Sequence, residues 1–419
     1  MQQEHVDILI IGAGPSGTVA AAYLQPLVKR LKIVEKSKFP RFVIGESLIP
    51  KCMEHFEEVG LLDVLEKQGY QEKHGARFIR GHRSCLFDFG DQFTDGKKWT
   101  WQVPRADFDK VLADEVERRG VPIDYETTVI DIEFDGTQSM TTVEDKDGNK
   151  RQIHASFVID CSGWGRVLPR LLDMVKPSTM PPRKTLFAHL KEKKIEGESN
   201  VGQIAFYIHR RDFWAWAIPF SNGNTSVGFV GNPACFEIYE KSGDLEWQMR
   251  TIISEIVGLS ERFDKAEFAM PPVSMQAFAA SSKEQFGDGF AITGNSSEFL
   301  DPVFSSGVTF ATESGLLAAK LAYRQLQGEK IDWKTDYADY MESGVDVFRT
   351  YVNAWYDGDL QDIFFRTARE DKFVDNFATD ATRRQICSIL AGYVWDKSNP
   401  YVRKHQRALS SLSKVVRMY

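Results

Sequence analysis

Three glycines near the start of the sequence have the spacing of a dinucleotide-binding turn. Gly12, Gly14 and Gly17 lie in GAGPSG, directly after the β-branched run VDILII. In such turns the first glycine permits a tight turn, the second lets the backbone approach a pyrophosphate, and the third lets the next helix pack on the strand. Pro15 suits the first helical turn, and Ser16 follows it. The stretch predicts a buried parallel strand, a phosphate-binding turn and an amphipathic helix.

An acidic residue ends the second predicted strand. In LKIVEK, Glu35 lies 18 residues after Gly17. This is close to the spacing of about 20 residues at which a carboxylate reaches a ribose hydroxyl. The strand, turn, helix, strand and acid together predict a dinucleotide site, but they do not separate NAD from FAD.

Two tryptophans one residue apart form a second candidate. Trp214 and Trp216 precede Ile218 and Pro219 in FWAWAIPF. Alternate residues of a strand share a face, so the two indoles would pack side by side. Alone, this pattern is typical of a core strand. Beside a cofactor, the same indoles could instead separate that cofactor from a substrate.

Composition limits the possible functions. The 419 residues predict two to three domains, or one large domain with insertions, and 42% hydrophobic residues can fill a core. A net charge of −7 without a basic block argues against nucleic-acid binding. No segment has the roughly 18 apolar residues that cross a bilayer, and the N-terminal run is expected to be a domain's first strand rather than a signal.

The five cysteines are scattered and form no CxxC pair. They predict neither a disulfide framework nor a zinc site, and no metal is expected. A reduced, cytoplasmic protein is the expectation. The cysteines are Cys52, Cys85, Cys161, Cys235 and Cys387.

Further stretches resemble the flavoprotein monooxygenase superfamily, in which the glycine turn and Glu35 hold the AMP half of FAD. VPRADFDKVLADEV is similar to the superfamily's helix-opening Arg-x-x-Phe-Asp segment, which implies that Arg105 begins a helix and lies on the flavin side. Ser306 and Gly307 are expected in a turn that leads into the apolar helix VTFATESGLLAAKLA. ETTVIDIEF is similar to the strand whose backbone meets adenine, which implies Val129. GFAITGNSSEFLDPVFSSGVTFA occupies the place of the late Gly-Asp motif, whose acid binds the ribityl chain.

Two departures from the hydroxylases of this superfamily matter. The late motif reads Gly294-Asn295 instead of Gly-Asp, and VIDCSGWGRVLPR lacks the mid-chain Asp-Gly pair. In the hydroxylases that pair assists both FAD and NADPH. Its absence argues against a self-contained hydroxylase that uses NADPH.

Against this flavin background, Trp214-x-Trp216-x-Ile218-Pro219 matches the WxWxIP motif of the flavin-dependent halogenases. GESLIP, residues 45–50, resembles the strap between the flavin and halogenation sites, and EKHGARF resembles the segment with the catalytic lysine. LDPVFSSG is similar to the loop that holds the halide, and LAGYVWDKSNP to a helical region of the branch that halogenates phenols and pyrroles. The sequence is thereby identified as a member of this family.

The resemblance implies a set of site residues. Lys73 is the implied catalytic residue, and Trp214, Trp216, Ile218 and Pro219 are the implied gate. The halide and flavin loop is Pro302, Ser305, Ser306, Gly307 and Val308. The cofactor-binding residues are Gly12, Gly14, Pro15, Ser16, Gly17, Glu35, Lys36, Arg41, Glu46, Ser47, Arg105, Val129, Gly294 and Asn295.

The implied chemistry uses FADH2 delivered by a separate flavin reductase. Its C4a-hydroperoxide would react with chloride or bromide, because two indoles would keep the organic substrate away from the flavin. The resulting hypohalous acid would travel to Lys73, whose ammonium can polarise it or whose free amine can be halogenated. A lysine between Glu72, Arg77 and Arg80 could equally be a solvated surface charge.

The halide loop also indicates the substrate class. Tryptophan halogenases carry a Glu two residues before the second serine of the pair that closes the loop, and this sequence has Phe304 there. A phenol or pyrrole needs less help in losing its ring proton, so the substitution favours such a substrate, free or tethered to a carrier protein. Whether His74 or Glu72 acts as a base stays open. So do two other functions: an FAD-dependent monooxygenase or geranylgeranyl-reductase-like enzyme, and a catalytically silent flavoprotein that docks on a carrier protein.

The expected fold is α/β, with a doubly wound FAD-binding domain, an antiparallel β-sheet substrate domain and a C-terminal helical region. The FAD-binding domain is expected to take residues 1–180, interrupted at about 71–100 by substrate-side strands, and residues 271–330. The substrate-side sheet is expected at 181–270 and the helical region at 331–419.

Overall fold

The computed structural model describes residues 2–192, 202–240, 243–276, 279–366 and 380–418. The strands within these ranges are, in chain order, β1 Gln2–Ile11, β2 Leu31–Val34, β3 Gln71–Lys73, β4 Gly75–Arg80, β5 Arg83–Asp88, β6 Thr100–Gln102, β7 Ile123–Asp124, β8 Thr127–Asp135, β9 Gln138–Asp145, β10 Lys150–Asp160, β11 Val175–Lys176, β12 Lys184–Lys191, β13 Ile204–Arg210, β14 Phe213–Pro219, β15 Asn224–Gly231, β16 Phe268–Gln276, β17 Ala280–Ser282, β18 Phe286–Gly287, β19 Phe290–Ile292 and β20 Glu298–Phe299.

Helices occupy other parts of the same ranges. In chain order they are α1 Pro15–Leu24, α2 Lys51–Glu58, α3 Leu62–Glu66, α4 Arg105–Arg118, α5 Val167–Leu171, α6 Leu245–Glu255, α7 Leu259–Phe263, α8 Gly294–Ser297, α9 Gly307–Leu326, α10 Tyr340–Tyr356, α11 Asp359–Arg366, α12 Asp380–Leu390, α13 Pro400–Arg403 and α14 His405–Met418. A π-helical segment, Lys334–Asp339, leads directly into α10.

The chain divides into two compact units. The first unit contains residues 1–69, 104–179 and 280–343, and the second contains 70–103, 180–279 and 344–419. The division after residue 343 falls inside α10. The glycine turn and the halide loop belong to the first unit, whereas Lys73 and the tryptophan pair belong to the second.

An eight-stranded sheet forms the centre of the first unit, in the order β18-β19-β10-β1-β2-β7, with β9 pairing to β10 and β8 to β9. Strand β1 pairs in parallel with β2 and with β10, and β10 pairs in parallel with β19. Ile8, Leu9 and Ile10 are all fully buried. Strand β1 is therefore covered on both faces, as its β-branched run predicts.

Helix α1 differs from the prediction in one respect. An amphipathic helix was expected, yet nine of its ten residues are buried. The helix contacts both α9 and α4 in addition to strands β1 and β2. The face of α1 that points away from the sheet is therefore covered by other helices instead of being exposed to water. Small side chains such as Ala20 and Ala21 permit this close packing.

The second unit is built on a seven-stranded sheet in the order β16-β12-β15-β14-β13-β4-β5. All neighbours are antiparallel except β13 and β4, which are parallel. One face of the sheet packs on α6 and α7 through Phe213, Phe229 and Met249. The opposite face carries Trp214 and Trp216, because alternate residues of β14 point to opposite sides. The predicted α/β class with a separate β-sheet part and C-terminal helices is confirmed.

The five cysteines are all free, as predicted. Burial raises the pKa of the Cys161 thiol to about 12, so this thiol stays protonated at neutral pH. The described residues contain no group of His, Cys, Asp or Glu arranged to hold a metal ion. None of the helices in those same ranges is both long and apolar enough to cross a membrane.

Candidate active site

The glycine turn has the geometry that close backbone contacts require. Gly12 has a φ of +103°, and a Cβ on this residue would lie 2.6 Å from the carbonyl oxygen of Cys161. A Cβ on Gly17 would lie only 2.0 Å from the carbonyl oxygen of Gly12. A Cβ on Gly14 would meet nothing nearer than Arg41 Nη2, at 3.7 Å. Gly12 and Gly17 are therefore required by the protein itself, whereas Gly14 borders open space.

The surroundings of Gly14 fit the phosphate and ribose groups of FAD. No side chain caps the N-terminus of α1, and its first turn contains no acidic residue. The unpaired N–H groups of that turn therefore favour an anion such as a pyrophosphate. Glu35 Oε2 accepts a hydrogen bond from Ala13 N and Oε1 accepts one from Ser37 N, each at 2.9 Å. Its remaining lone pairs suit the hydroxyl groups of a ribose, while Lys36 is exposed.

Arg105 stands at the start of α4, as predicted, and holds the beginning of the strap. Its Nε donates to Asp109 Oδ1 at 2.8 Å, and its Nη1 donates to the carbonyls of Ile44 and Gly45 at 3.1 and 3.2 Å. Arg41 Nη1 donates to the other carboxylate oxygen of Asp109 at 2.9 Å. Asp109 therefore joins the two arginines, and a flavin contact of Arg105 stays a prediction.

Other predicted cofactor residues are also in the first unit. Glu46 and Ser47 of the strap are buried immediately before α2. Val129 is buried on β8, beside a β-bulge between Val129 and Asp131. Ser16 Oγ lies 2.8 Å from Thr293 Oγ1, which links the start of α1 to the residue before Gly294. A contact of these residues with FAD stays a prediction.

The late motif rests on a buried carboxylate that sequence reasoning missed. Asp160 accepts hydrogen bonds from Ser162 N, Leu168 N and Ser296 Oγ, each at 2.8 Å. Gly294, with a φ of +53°, opens α8, and its N–H donates to Ser314 Oγ at 2.8 Å. Asn295 follows on α8 and is partly exposed. Burial raises the pKa of Asp160, and the hydrogen bonds it accepts act in the opposite direction.

The predicted halide loop forms a tight turn before α9. Asp301 Oδ1 accepts a hydrogen bond from Val303 N at 2.9 Å, and Ser305 N donates to the carbonyl of Pro302 at 3.0 Å. Ser305 has a φ of +57°, which reverses the chain so that Ser306 becomes the N-cap of α9. Neither a capping side chain nor an acidic residue occupies this helix start. The N–H groups of the first turn therefore suit a small anion.

A buried hydrogen bond between a histidine and a glutamate ties the strap helix α2 to the helix that follows the halide loop. His55 Nε2 lies 2.6 Å from Glu313 Oε2, and His55 Nδ1 lies 2.7 Å from Thr312 Oγ1. Tyr340 donates its hydroxyl to the other oxygen of Glu313 at 2.9 Å. Burial alone would raise the pKa of the Glu313 carboxyl, but His55, Lys51 and Tyr340 together lower it to about 2.

We expect the substitution Glu313→Gln to destabilise the protein at pH 7. The folded-state pKa lies below the ordinary value of 4.5, so the carboxylate contributes stability above pH 4.5 and loses it as the pH falls towards 2. The size of the shift corresponds to a contribution on the order of 3 kcal/mol. Urea unfolding of both proteins at pH 7, 4.5 and 3 should show a stability difference that shrinks with acidity. Glu329→Gln, which removes an exposed partner of Arg324, should change stability by no more than about 0.5 kcal/mol at any pH.

In the second unit, Lys73 is a buried side chain with 1% of its surface exposed. The interpretation of Lys73 as a solvated surface charge is therefore wrong. Lys73 ends β3, which pairs with β6, and Thr100 lies directly opposite it. The Lys73 ammonium lies 5.5 Å from the centre of the Phe89 ring, within the range of a cation–π contact. The neighbours Glu72 and His74 are instead exposed, and His74 Nε2 lies 3.0 Å from Glu72 Oε2.

The tryptophan pair lies side by side on β14, as predicted. The two indole rings are 6.1 Å apart, and both are buried. Trp214 Nε1 donates to Tyr356 Oη at 3.0 Å, and Trp216 Nε1 donates to Ser226 Oγ at 3.1 Å. A Cβ on Gly228 would lie 2.1 Å from the Trp216 ring. The ring of Trp216 is therefore held by its hydrogen bond and by close packing on the neighbouring strand.

A buried glutamine connects the lysine hairpin with the tryptophan strand. Gln102 Nε2 donates to the carbonyl of Pro219 at 2.6 Å and to that of Gly202 at 3.2 Å. Gln102 is on β6, whose partner strand β3 carries Lys73. The WxWxIP motif and Lys73 are thus parts of one hydrogen-bonded assembly inside the second unit. Sequence reasoning missed Gln102, since Gln102 and its partner Pro219 are 117 positions apart.

The substitution Gln102→Leu should lower the free energy of unfolding by about 1–3 kcal/mol. The physical reason is that the buried carbonyl of Pro219 and the partly buried carbonyl of Gly202 lose their donor, which the apolar side chain cannot replace. Chemical denaturation followed by tryptophan fluorescence measures the change. As a control, Gln68→Leu removes an exposed side-chain bond to a main-chain carbonyl, and we expect a change of less than about 0.5 kcal/mol. Equal effects of the two substitutions would contradict the role of Gln102.

The parallel sheet, the glycine turn and the acid after β2 define the first unit as an FAD-binding flavoprotein unit. Residues 5–213 match the family model described as an FAD binding domain. A flavoprotein/dehydrogenase from Cytophaga hutchinsonii is 51% identical, covers 99% of both chains and superposes with a TM-score of 0.93.

Halogenases are also similar to this chain. The 1H-pyrrole-2-carbonyl-[peptidyl-carrier protein] brominase of Pseudoalteromonas luteoviolacea is 29% identical over 80% of this chain and 81% of its own length. The solved flavin-dependent brominase Bmp2 covers 99% of this chain and all of its own, with a TM-score of 0.80. Its identity of 23% is evidence for the fold alone. The chain belongs to the FAD-binding flavoproteins, is an FAD-dependent enzyme, and is similar to flavin-dependent halogenases over most of its length.

Proposed function

We propose that this enzyme halogenates an electron-rich aromatic ring, a phenol or a pyrrole. It takes reduced FAD from a separate flavin reductase and uses oxygen and chloride or bromide. The observation that carries the proposal is the complete burial of Lys73 in a hairpin that Gln102 connects to the WxWxIP strand. A lysine ammonium is expensive to bury, so its position indicates a role other than solubility.

The first unit binds the reagents. Gly14, the start of α1 and Glu35 hold the pyrophosphate and ribose of FAD, with the contacts described above. The main-chain N–H groups of Ser306 and Gly307 hold the halide at the start of α9. Reduced FAD, when bound, would supply the two electrons that reduce oxygen to the peroxide level, and the peroxide would then oxidise the halide to hypohalous acid with release of water.

The second unit directs the electrophile to the ring. Trp214 and Trp216 keep the organic substrate away from the site of oxygen chemistry. The ammonium of Lys73 donates a hydrogen bond to hypohalous acid and polarises its oxygen–halogen bond, or the free amine accepts the halogen and passes it on. The proton of the ring carbon leaves in the last step of the aromatic substitution.

Phe304 supports a ring that is activated by its own heteroatom. It occupies the position at which tryptophan halogenases carry a carboxylate, and it is buried in the turn before α9. An indole carbon needs a base to lose its proton, whereas the oxygen of a phenol or the nitrogen of a pyrrole supplies electrons to its own ring. The relative named for carrier-bound pyrrole bromination supports the same substrate class.

The test is a reaction of the purified protein with reduced FAD, oxygen, chloride or bromide, and a panel of simple phenols and pyrroles. We expect halogenated products by mass spectrometry and no oxidation of NAD(P)H in the absence of a reductase. Hydroxylated products without any halogenated ones would instead favour an FAD-dependent monooxygenase. Oxidation of NAD(P)H by the protein alone would also contradict the proposal.

A further inference from the structure

Arg183 is a buried arginine whose charge has no partner among the described residues. It precedes β12 in the second unit, and only 7% of its surface is exposed. Its Nε has no hydrogen-bond partner in the described ranges, and no carboxylate of those ranges forms an ion pair with it. A guanidinium is always ionised, so its burial without an anion is unfavourable. The position of Arg183 therefore indicates a binding site for an anionic ligand.

One face of this guanidinium is occupied by a ring, while its buried Nε has no hydrogen-bond partner within the described ranges. The Arg183 Cζ atom lies 3.7 Å from the centre of the Tyr356 ring. A stacking contact of this kind uses the flat face of the cation and leaves the N–H groups at its edge. Tyr356 is itself held in place, because its Oη accepts the hydrogen bond from Trp214 Nε1 at 3.0 Å. Arg183 is thus oriented by the first tryptophan of the WxWxIP motif through Tyr356.

Two other basic side chains of the second unit that are largely buried, Lys184 and Arg262, do have anionic partners. Lys184, the next residue, forms an ion pair with Glu240. The largely buried Arg262 forms an ion pair with Glu192 at 2.6 Å. Arg183 differs from both of these residues, because no carboxylate of the described ranges forms an ion pair with it.

The residues beside Arg183 suit an aromatic molecule. Thr185 lies two positions further along, on the same side of the strand, and its buried hydroxyl also has no hydrogen-bond partner within the described ranges. Phe187 is next on that side, with its ring 6.1 Å from the ring of Trp216. Cation, hydroxyl and aromatic rings thus follow one another along a single face of the sheet. This order matches an aromatic ring that carries an anionic oxygen group.

We propose that Arg183 binds the carboxylate of a free aromatic acid, and that such acids are the substrate class of this enzyme. The N–H edge of a guanidinium forms two parallel hydrogen bonds with a carboxylate, which a single halide ion cannot accept in the same way. A carrier-tethered acyl group has a thioester carbonyl and no charge at this position. The proposal that the acid is the substrate rests on the proposed function, but binding of the acid can be measured without turnover.

The experiment compares equilibrium binding of 3-hydroxybenzoate and its neutral analogue 3-hydroxybenzamide by calorimetry. It uses the full-length, FAD-loaded protein. We expect the acid to bind about 30-fold more tightly than the amide, because a hydrogen bond between two charged groups contributes about that much to affinity. Arg183→Gln should remove this preference and leave amide binding within about twofold, and Arg183→Lys should keep part of it. The control is Arg250→Gln, because Arg250 also stacks on a ring, that of Phe268, but pairs with Glu246.

Three results would overturn the inference. They are equal binding of acid and amide by the unchanged protein, a preference that survives Arg183→Gln, and displacement of the acid by millimolar bromide, which would assign the site to a halide. The comparison of acid with amide and the displacement by bromide need only the unchanged protein, so a variant that folds poorly does not prevent the test. Arg183-dependent acid binding without any halogenated product would contradict only the proposed function. Halogenation without a preference for acids would contradict only the role of Arg183.

Discussion

Replacement of Lys73 by methionine is expected to lower the rate of halogenation by about 10²- to 10⁴-fold, the range that a positioned proton-donating or proton-accepting group contributes. Methionine has a similar length and suits the buried position, so folding should be preserved. Oxidation of reduced FAD by oxygen should continue at an unchanged rate, since in the proposed function Lys73 acts only after the halide is oxidised. Hypohalous acid should then escape into solution.

The measurement follows three quantities in the same reaction. They are the halogenated product, the absorbance of oxidised FAD, and hypohalous acid trapped by a small thiol or amine reagent. Lys98→Met is the matched control, because Lys98 is an exposed lysine close to β6 and should be dispensable. Unchanged product formation in Lys73→Met would exclude the relay through this amine. Loss of flavin oxidation together with product would mean that the substitution acts earlier than proposed.

The second large effect concerns the glycine turn. Gly17→Ala should abolish FAD binding and lower the free energy of unfolding by about 3 kcal/mol or more, because the new Cβ would lie 2.0 Å from the Gly12 carbonyl oxygen. The helix α1 would have to move away from β1, and the N–H groups of its first turn would move with it. Halogenation should fall below detection for lack of bound cofactor.

Gly14→Ala is the matched substitution in the same turn. Gly14 has an extended conformation with φ −74° that alanine can adopt, and its Cβ would meet only Arg41 at 3.7 Å. We expect the unfolding free energy of the FAD-free protein to change by less than about 1 kcal/mol, while the dissociation constant for FAD rises about tenfold or more. FAD fluorescence quenching and chemical denaturation separate the two effects. Retention of full FAD affinity by both variants would refute the assignment of this turn.

Local patterns made much of the first unit predictable. A β-branched run, the glycine spacing and the acid 18 residues after Gly17 are features of neighbouring residues, and the structure has β1, the turn, α1 and β2 in that order. The prediction of α4 starting at Arg105 and of α9 starting after Ser306 is confirmed for the same reason. The amphipathic character of α1 was wrong, because the number of layers above a helix is not recorded in its own residues.

In the second unit, local sequence patterns predicted only part of the site. Residue spacing alone predicted that Trp214 and Trp216 share a face, since the period of a strand is two residues. The burial of Lys73 contradicted the polar appearance of its neighbours, because it depends on the pairing of β3 with β6. Gln102, which joins β6 to the WxWxIP strand, has no recognisable local pattern at all.

The sequence by itself determined that the cofactor is a dinucleotide and in which order the elements around its site follow, because these depend on the spacing of residues within single strands, turns and helices. Only the tertiary structure decided which charges are buried and which of them have partners. His55 meets Glu313 across 258 residues, and Arg183 stacks on Tyr356 with no carboxylate beside it in the described ranges. Desolvation and charge pairing act between elements that are distant in the chain, so packing has to be known before an ionisable residue can be assigned a role.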